Sequence, residues 1–264
     1  MKIGFFDSGL GGLTILQAVA RELPAYDYEY FGDTKHLPYG DKTEIEVYTL
    51  TKVGVESLFE RGCVLAIIAC NTASAETLRK LQDEWLPTAY PDRKILGVIV
   101  PTVEEVSESG ITNVALIATQ RTVSSDKYKI ELENRMKESI KLTQIATPEL
   151  VPFIELNELT AATLAAVACI EREAGESDGV ILGCTHYTQI KTQLRSHFGK
   201  SKVLFSQDEI IPKKLQAYLE NHPEIESRLT KTGERSIHLT QHRPDYDLLM
   251  GQFLGGAYVT QEIE

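Results

Sequence analysis

Short apolar runs alternate with longer amphipathic stretches along most of the chain. The runs at Ile3–Phe6, Tyr28–Phe31, Val64–Ala69, Ile95–Val100, Val114–Ala118, Gly179–Leu182, Val203–Phe205 and Ile237–Thr240 predict strands. Between them apolar residues recur three and four positions apart, as at Leu78, Leu81 and Trp85, and again at Ile190, Leu194 and Phe198. That spacing predicts helices with one apolar face. A strand–helix rhythm of this kind predicts an α/β protein built on mainly parallel sheets.

Two of the runs end alike. Leu65-Ala66-Ile67-Ile68-Ala69 leads into Cys70-Asn71-Thr72, and Gly179-Val180-Ile181-Leu182-Gly183 leads into Cys184-Thr185-His186. Both thiols are therefore expected at a strand C-terminus and a helix N-terminus. Ligands of open α/β sheets bind beyond strand C-termini, and free amides of a first helical turn attract anions. Asp7 precedes Cys70 by 63 positions, and Thr119 precedes Cys184 by 65. The near-equal spacings predict two similar α/β domains, pseudo-twofold related, with the site at their interface. A boundary near Pro101 and a return crossing at Ser206–Pro212 give one domain of residues 1–100 plus 207–264 and another of residues 101–206.

The chain has 264 residues, enough for a sizeable core in one large or two medium domains. Its net charge of −11 disfavours nucleic acid as a partner, because phosphate backbones attract basic surfaces. No apolar stretch is long enough to span a bilayer. Met1 leads almost directly into the first strand, so no secretory leader is read and a cytoplasmic location is expected. The cysteines Cys63, Cys70, Cys169 and Cys184 form no Cys-x-x-Cys pair, and the histidines lack zinc spacing, so no metal site is expected. Cys63 and Cys169 read as small buried hydrophobes.

Several polar segments sit at the predicted strand tips. Asp7-Ser8-Gly9-Leu10-Gly11-Gly12 is a glycine-rich turn whose amides could face an anion, although it is neither a P-loop nor a dinucleotide fingerprint. Asp7 reads either as a cap or as a base. Gly32-Asp33-Thr34 runs on to Pro38-Tyr39-Gly40, which reads as a turn or as a crevice wall; Lys35 and His36 read as surface groups. Asn71, Thr72 and Thr185 offer amide and hydroxyl groups, and His186 stands two positions from Cys184. Two thiols, each with an acid–base partner, suit a reaction that removes a proton from one face of a carbon and returns one to the other.

Together these segments resemble glutamate racemases, within the aspartate/glutamate racemase superfamily. The resemblance rests on Phe6-Asp7-Ser8-Gly9-x-Gly-Gly, Gly32-Asp33-Thr34…Pro38-Tyr39-Gly40, Ala69-Cys70-Asn71-Thr72-Ala73-Ser74 and Leu182-Gly183-Cys184-Thr185-His186-Tyr187. Ala118-Thr119-x-x-Thr122-Val123-x-Ser125-x-x-Tyr128 and Leu150-Val151-Pro152…Glu155 extend it over nearly the whole chain. It implies a cofactor-independent interconversion of L- and D-glutamate that feeds peptidoglycan synthesis, and a homodimer. It implies that Cys70 and Cys184 are the acid–base thiols, that Asp7 supports Cys70, and that His186 with Glu155 supports Cys184. It places Asp7, Ser8, Pro38, Tyr39, Gly40, Asn71, Thr72, Thr119, Thr122, Thr185 and His186 against the substrate.

The chain departs from the family pattern at Thr188, where Pro is common, at Thr147, where Cys is frequent, and at Ser206-Gln207-Asp208, which replaces a usual Asp-containing segment. A family activator site that needs an N-terminal extension is not expected. Two rival readings stay open at this point: an aspartate racemase of the same superfamily, and a ligand-binding or thiol-redox module without racemase activity.

Overall fold

The computed structural model describes residues 1–136, 140–254 and 259–262. Its first sheet takes up the start and the end of the chain. Strands β1 (Lys2–Asp7), β2 (Tyr28–Gly32), β3 (Cys63–Ile68) and β4 (Lys94–Gly97) alternate with helices α1 (Leu13–Glu22), α2 (Glu44–Glu60), α3 (Asn71–Lys80) and α4 (Leu86–Ala89). Helix α5 (Ile99–Ser109) leads to the second sheet. There β5 (Asn113–Ala118), β6 (Lys141–Ala146), β7 (Gly179–Gly183) and β8 (Val203–Phe205) are joined through α6 (Gln120–Ser124), α7 (Lys127–Met136), α8 (Leu150–Glu155), α9 (Leu159–Ala174) and α10 (Lys191–Phe198). The chain returns through α11 (Gln207–Asn221) and α12 (Pro223–Glu226) to β9 (Arg235–Leu239), α13 (Pro244–Leu254) and β10 (Val259–Glu262).

The sheet orders are β10-β9-β2-β1-β3-β4 and β6-β5-β7-β8, and every described pairing is parallel. The central strands β1, β3, β5 and β7 are apolar on both faces because helices cover both faces. Taken in chain order, β2-β1-β3-β4 repeats as β6-β5-β7-β8. Asp7 and Thr119 therefore occupy matching tips, as do Cys70 and Cys184. Among the described residues no helix is long and apolar enough to cross a membrane.

Three strands differ from the sequence reading. The run Ile95–Val100 is not one strand: β4 stops at Gly97, the last residue paired to β3, and Ile99 opens α5. Pro101 lies in the first turn of that helix, where its missing N–H costs nothing. Strands β6 and β10 were not anticipated. β6 is an edge strand with a mostly half-exposed face, and Lys141, Thr143 and Gln144 interrupt its apolar pattern. Cys63 and Cys169 are buried among apolar side chains, as expected.

Candidate active site

β1 delivers Asp7 to its C-terminal tip, fully buried. Its Oδ2 accepts the amides of Gly9 at 3.2 Å and Gly12 at 3.1 Å, while Oδ1 is buried with no hydrogen-bond partner. Two of the amides read as a cradle for a bound anion are thus committed to the chain's own carboxylate. The glycines have steric reasons of their own. A Cβ on Gly12 would stand 2.8 Å from that of Asp7, and one on Gly11 would stand 2.7 Å from His186 Nδ1. Burial pushes the Asp7 carboxyl above the usual range; the nearby His186 cation and the two amides oppose this without cancelling it.

β3 ends at Ile68, two residues before Cys70, which caps α3: its Sγ accepts the Ala73 amide at 3.5 Å and lies 3.3 Å from Ser8 Oγ. Burial, and then the Asp7 charge, push this thiol up to about 12. Thr72 follows in the same turn. Its hydroxyl lies 2.9 Å from that of Thr119 and 3.3 Å from that of Thr122, which are 3.0 Å apart, so a hydroxyl cluster joins the two sheets' tips.

Cys184 follows Gly183, the last residue of β7, and caps a 3-10 turn, Thr185–Ile190, rather than an α-helix; α10 begins only at Lys191. The expectation of an α-helical N-terminus at each thiol therefore holds for Cys70 alone. The turn sets His186 Nδ1 3.8 Å from Cys184 Sγ and His186 Nε2 3.2 Å from Glu155 Oε1, at the end of α8. Burial disfavours the imidazolium, but the Cys184 sulfur and the Glu155 carboxylate outweigh it and hold His186 well above its ordinary pKa. Thr147 and Tyr187 pack behind the turn with their hydroxyls 2.8 Å apart.

Both thiols line one cavity of about 630 Å³ between the strand tips of the two sheets. That volume suits a small molecule. Ser8, Pro38, Tyr39, Gly40, Asn71, Thr72, Thr119, Glu155, Thr185 and His186 line it as well, whereas Asp7 and Thr122 lie behind its wall. A second cavity, of about 490 Å³ and reaching from Gly97 to Tyr218, holds neither thiol. The sequence reading missed the wall formed by Gln241, Arg243, Tyr246 and Leu249. It also missed Asp33, whose buried carboxylate accepts the Tyr39 hydroxyl at 2.7 Å and the Thr240 hydroxyl at 2.9 Å and so ties the Pro38–Gly40 loop to that wall. His36 Nδ1 lies 2.7 Å from the same carboxylate.

The family model described as Asp/Glu/Hydantoin racemase matches residues 14–210. The chain belongs to this racemase family. Among its relatives is a protein of Roseobacter denitrificans named glutamate racemase, 38% identical over 237 residues that make up 84% of this chain and 87% of that one. Among solved racemases, a glutamate racemase isoform of Bacillus anthracis superposes with a TM-score of 0.88 at 25% identity, covering 100% of this chain and 97% of that one. A glutamate racemase of Francisella tularensis, solved in complex with D-glutamate, gives a TM-score of 0.88 at 26% identity, with coverage of 100% and 97%.

Proposed function

We propose that this racemase interconverts L- and D-glutamate by a two-thiol acid–base reaction and so supplies D-glutamate for peptidoglycan. The observation that carries the reading is that Cys70 and Cys184, from matching strand tips of two sheets, line a single cavity. The names of the relatives favour glutamate over aspartate.

In the L-to-D direction Cys184, as thiolate beside the His186 cation, takes the Cα proton. The Cys70 thiol gives its proton to the opposite face of the planar carbanion. Cys184 is then a thiol and Cys70 a thiolate. The reset runs outward on one side: His186 gives its Nε2 proton to the carboxylate of Glu155, which is about two-fifths exposed, and the Cys184–His186 pair thereby returns to its starting proton count. On the other side Asp7 exchanges a proton with Cys70 through its unpaired Oδ1. Its raised pKa suits it to hold that proton. Asn71, Thr72, Thr119, Thr185 and the Pro38–Gly40 loop orient the substrate, and Thr122 holds the two threonine hydroxyls in place. Preorganised donors of this kind stabilise a developing negative charge, each by about 3–4 kcal/mol.

The reading includes two domains, residues 1–100 plus 207–264 and residues 101–206. Packing supports it: α11 buries Ile211, Leu215 and Leu219 in the core of β1 and α1, while α5 buries Ile99, Val103 and Val106 against β5 and β7. A cytoplasmic homodimer is the remaining part, and it rests on the family resemblance.

The experiment is to follow the circular dichroism of L-glutamate with the purified protein and no added cofactor. The signal is expected to decay to zero, the value for equal enantiomers. A signal that persists contradicts the reading.

A further inference from the structure

Asn71 stands at the head of α3 and lines the cavity, yet most of its amide is already committed. Its Oδ1 accepts from Tyr128 Oη at 2.7 Å and from Gln207 Nε2 at 2.8 Å. Its Nδ2 donates to Gln207 Oε1 at 2.9 Å, and Gln207 Nε2 donates also to Tyr128 Oη at 3.1 Å. All three residues are at least 98% buried. A carbonyl oxygen has two lone pairs and an amide nitrogen two protons, so the network uses every group of the Asn71 amide except one N–H.

The post that holds this amide is rigid. Gln207 lies in the first turn of α11, at the crossing between the sheets. The next residue, Asp208, accepts from Ser206 Oγ and Lys191 Nζ, and Lys191 also reaches Glu209 at 2.9 Å. Tyr128 comes from α7 of the second sheet. Two separate segments, α7 and α11, thus converge on the Asn71 side chain at the wall of the cavity.

We propose that Gln207 and Tyr128 are positioning residues that lock the Asn71 amide so that an N–H, not the carbonyl, faces the cavity and receives a carboxylate of the substrate. The inference rests on the racemase reading above. A carbonyl turned to the same place would repel that carboxylate, whereas an N–H donated to an anion is among the stronger hydrogen bonds. The chemistry that Gln207 supplies, a donor and an acceptor on one planar group, matches the Asn71 amide edge to edge. A carboxylate at position 207 could accept from Nδ2 but could not donate to Oδ1.

The test is a double-mutant cycle read by steady-state kinetics and by calorimetric binding of D-glutamate. Gln207→Met is expected to raise KM for both enantiomers about tenfold with kcat within about threefold, the sign of lost binding rather than lost chemistry. In an Asn71→Ala background the same substitution is expected to add nothing, because its effect runs through the missing amide. Tyr128→Phe, which removes one oxygen, repeats the cycle should the Met variant fail to fold. Unchanged KM and affinity in the single variants overturn the inference, and so does an effect that persists at full size without Asn71. A wild-type protein that leaves glutamate unchanged overturns the racemase reading and the inference with it. That control is read before any variant is compared.

Discussion

A Cβ built on Gly11 would stand 2.7 Å from the Nδ1 atom of His186, the ring nitrogen that faces Cys184. The glycine-rich turn of one sheet and the cysteine turn of the other therefore pack against each other through the absence of a side chain. Gly11→Ala must displace the Thr185 hydroxyl, which stands closer still, and with it the imidazole that faces the sulfur. The expected result is a fall in kcat of at least about tenfold, with a loss of about 1–3 kcal/mol in stability, the usual size of an overpacking cost. Activity assays beside thermal melts check both numbers. Wild-type turnover in the alanine variant contradicts the packing argument.

On the proposed two-thiol reaction each thiol is needed in both directions. Cys70→Ser and Cys184→Ser replace a thiol by a far weaker acid of similar shape, and each is expected to lose about 10³-fold or more in turnover, at the upper end of what a positioned acid–base group contributes. Chiral chromatography of the products measures it. Full activity in either variant rules out the two-thiol scheme.

The thiols are expected to differ in reactivity at rest. With its pKa near 12, Cys70 holds only about one part in ten thousand as thiolate at pH 8. Cys184 faces the His186 cation, whose charge its sulfur helps to sustain. Iodoacetamide at pH 8, followed by peptide mass mapping, is expected to label Cys184 first. Equal labelling rates contradict the assignment of Cys184 as the base that starts from L-glutamate.

The relay through Glu155 predicts a kinetic signature. Enantiomers have equal free energy in water, so kcat/KM must be the same from either side in any variant. Glu155→Gln slows the reset of His186 and Cys184 while leaving a hydrogen bond to the ring. It is expected to lower kcat and KM together from L-glutamate, and to do so more than from D-glutamate. Progress curves from both enantiomers measure this, and equal changes in kcat contradict the relay.

Stability in acid turns on Asp27. Burial raises its pKa, but bonds from Thr230, Glu234 and Thr232 outweigh burial and hold it at about 2. Its Oδ1 accepts from Thr232 N, Thr232 Oγ1 and Glu234 N at 2.8–2.9 Å and so anchors the approach to β9. A depressed carboxylate stabilises the fold above its unfolded pKa, near 3.8, and ceases to do so as pH falls through about 2. Asp27→Ala is expected to cost about 1–3 kcal/mol at pH 7, with the charge-dependent part of the gap closing between pH 4 and 2. Urea melts across pH measure it, and a gap independent of pH contradicts the linkage.

Much of the site was legible because its residues stand where strands end. Phe5-Phe6-Asp7, Ile68-Ala69-Cys70 and Leu182-Gly183-Cys184 each show an apolar strand breaking into polar groups, and local pattern suffices to see that. Strand β6 stayed hidden because an edge strand need not be apolar on both faces. The run at Ile95–Val100 misled because a buried strand and a buried first helical turn look alike until the sheet partner ends at Ile68. The wall made by Arg243 and Tyr246 and the lock on Asn71 by Gln207 were out of reach. They join residues more than 130 positions apart through the return of the chain, and no local spacing encodes that return.

Proton bookkeeping at Cα tests the central claim most directly. L-Glutamate is incubated with the protein in deuterated water, and each enantiomer is isolated early in the reaction. With one proton carrier on each face, the D-glutamate formed carries deuterium at Cα while the remaining L-glutamate still carries protium. Deuterium entering both enantiomers early and equally would mean that a single base serves both faces, and the two-thiol account would fall.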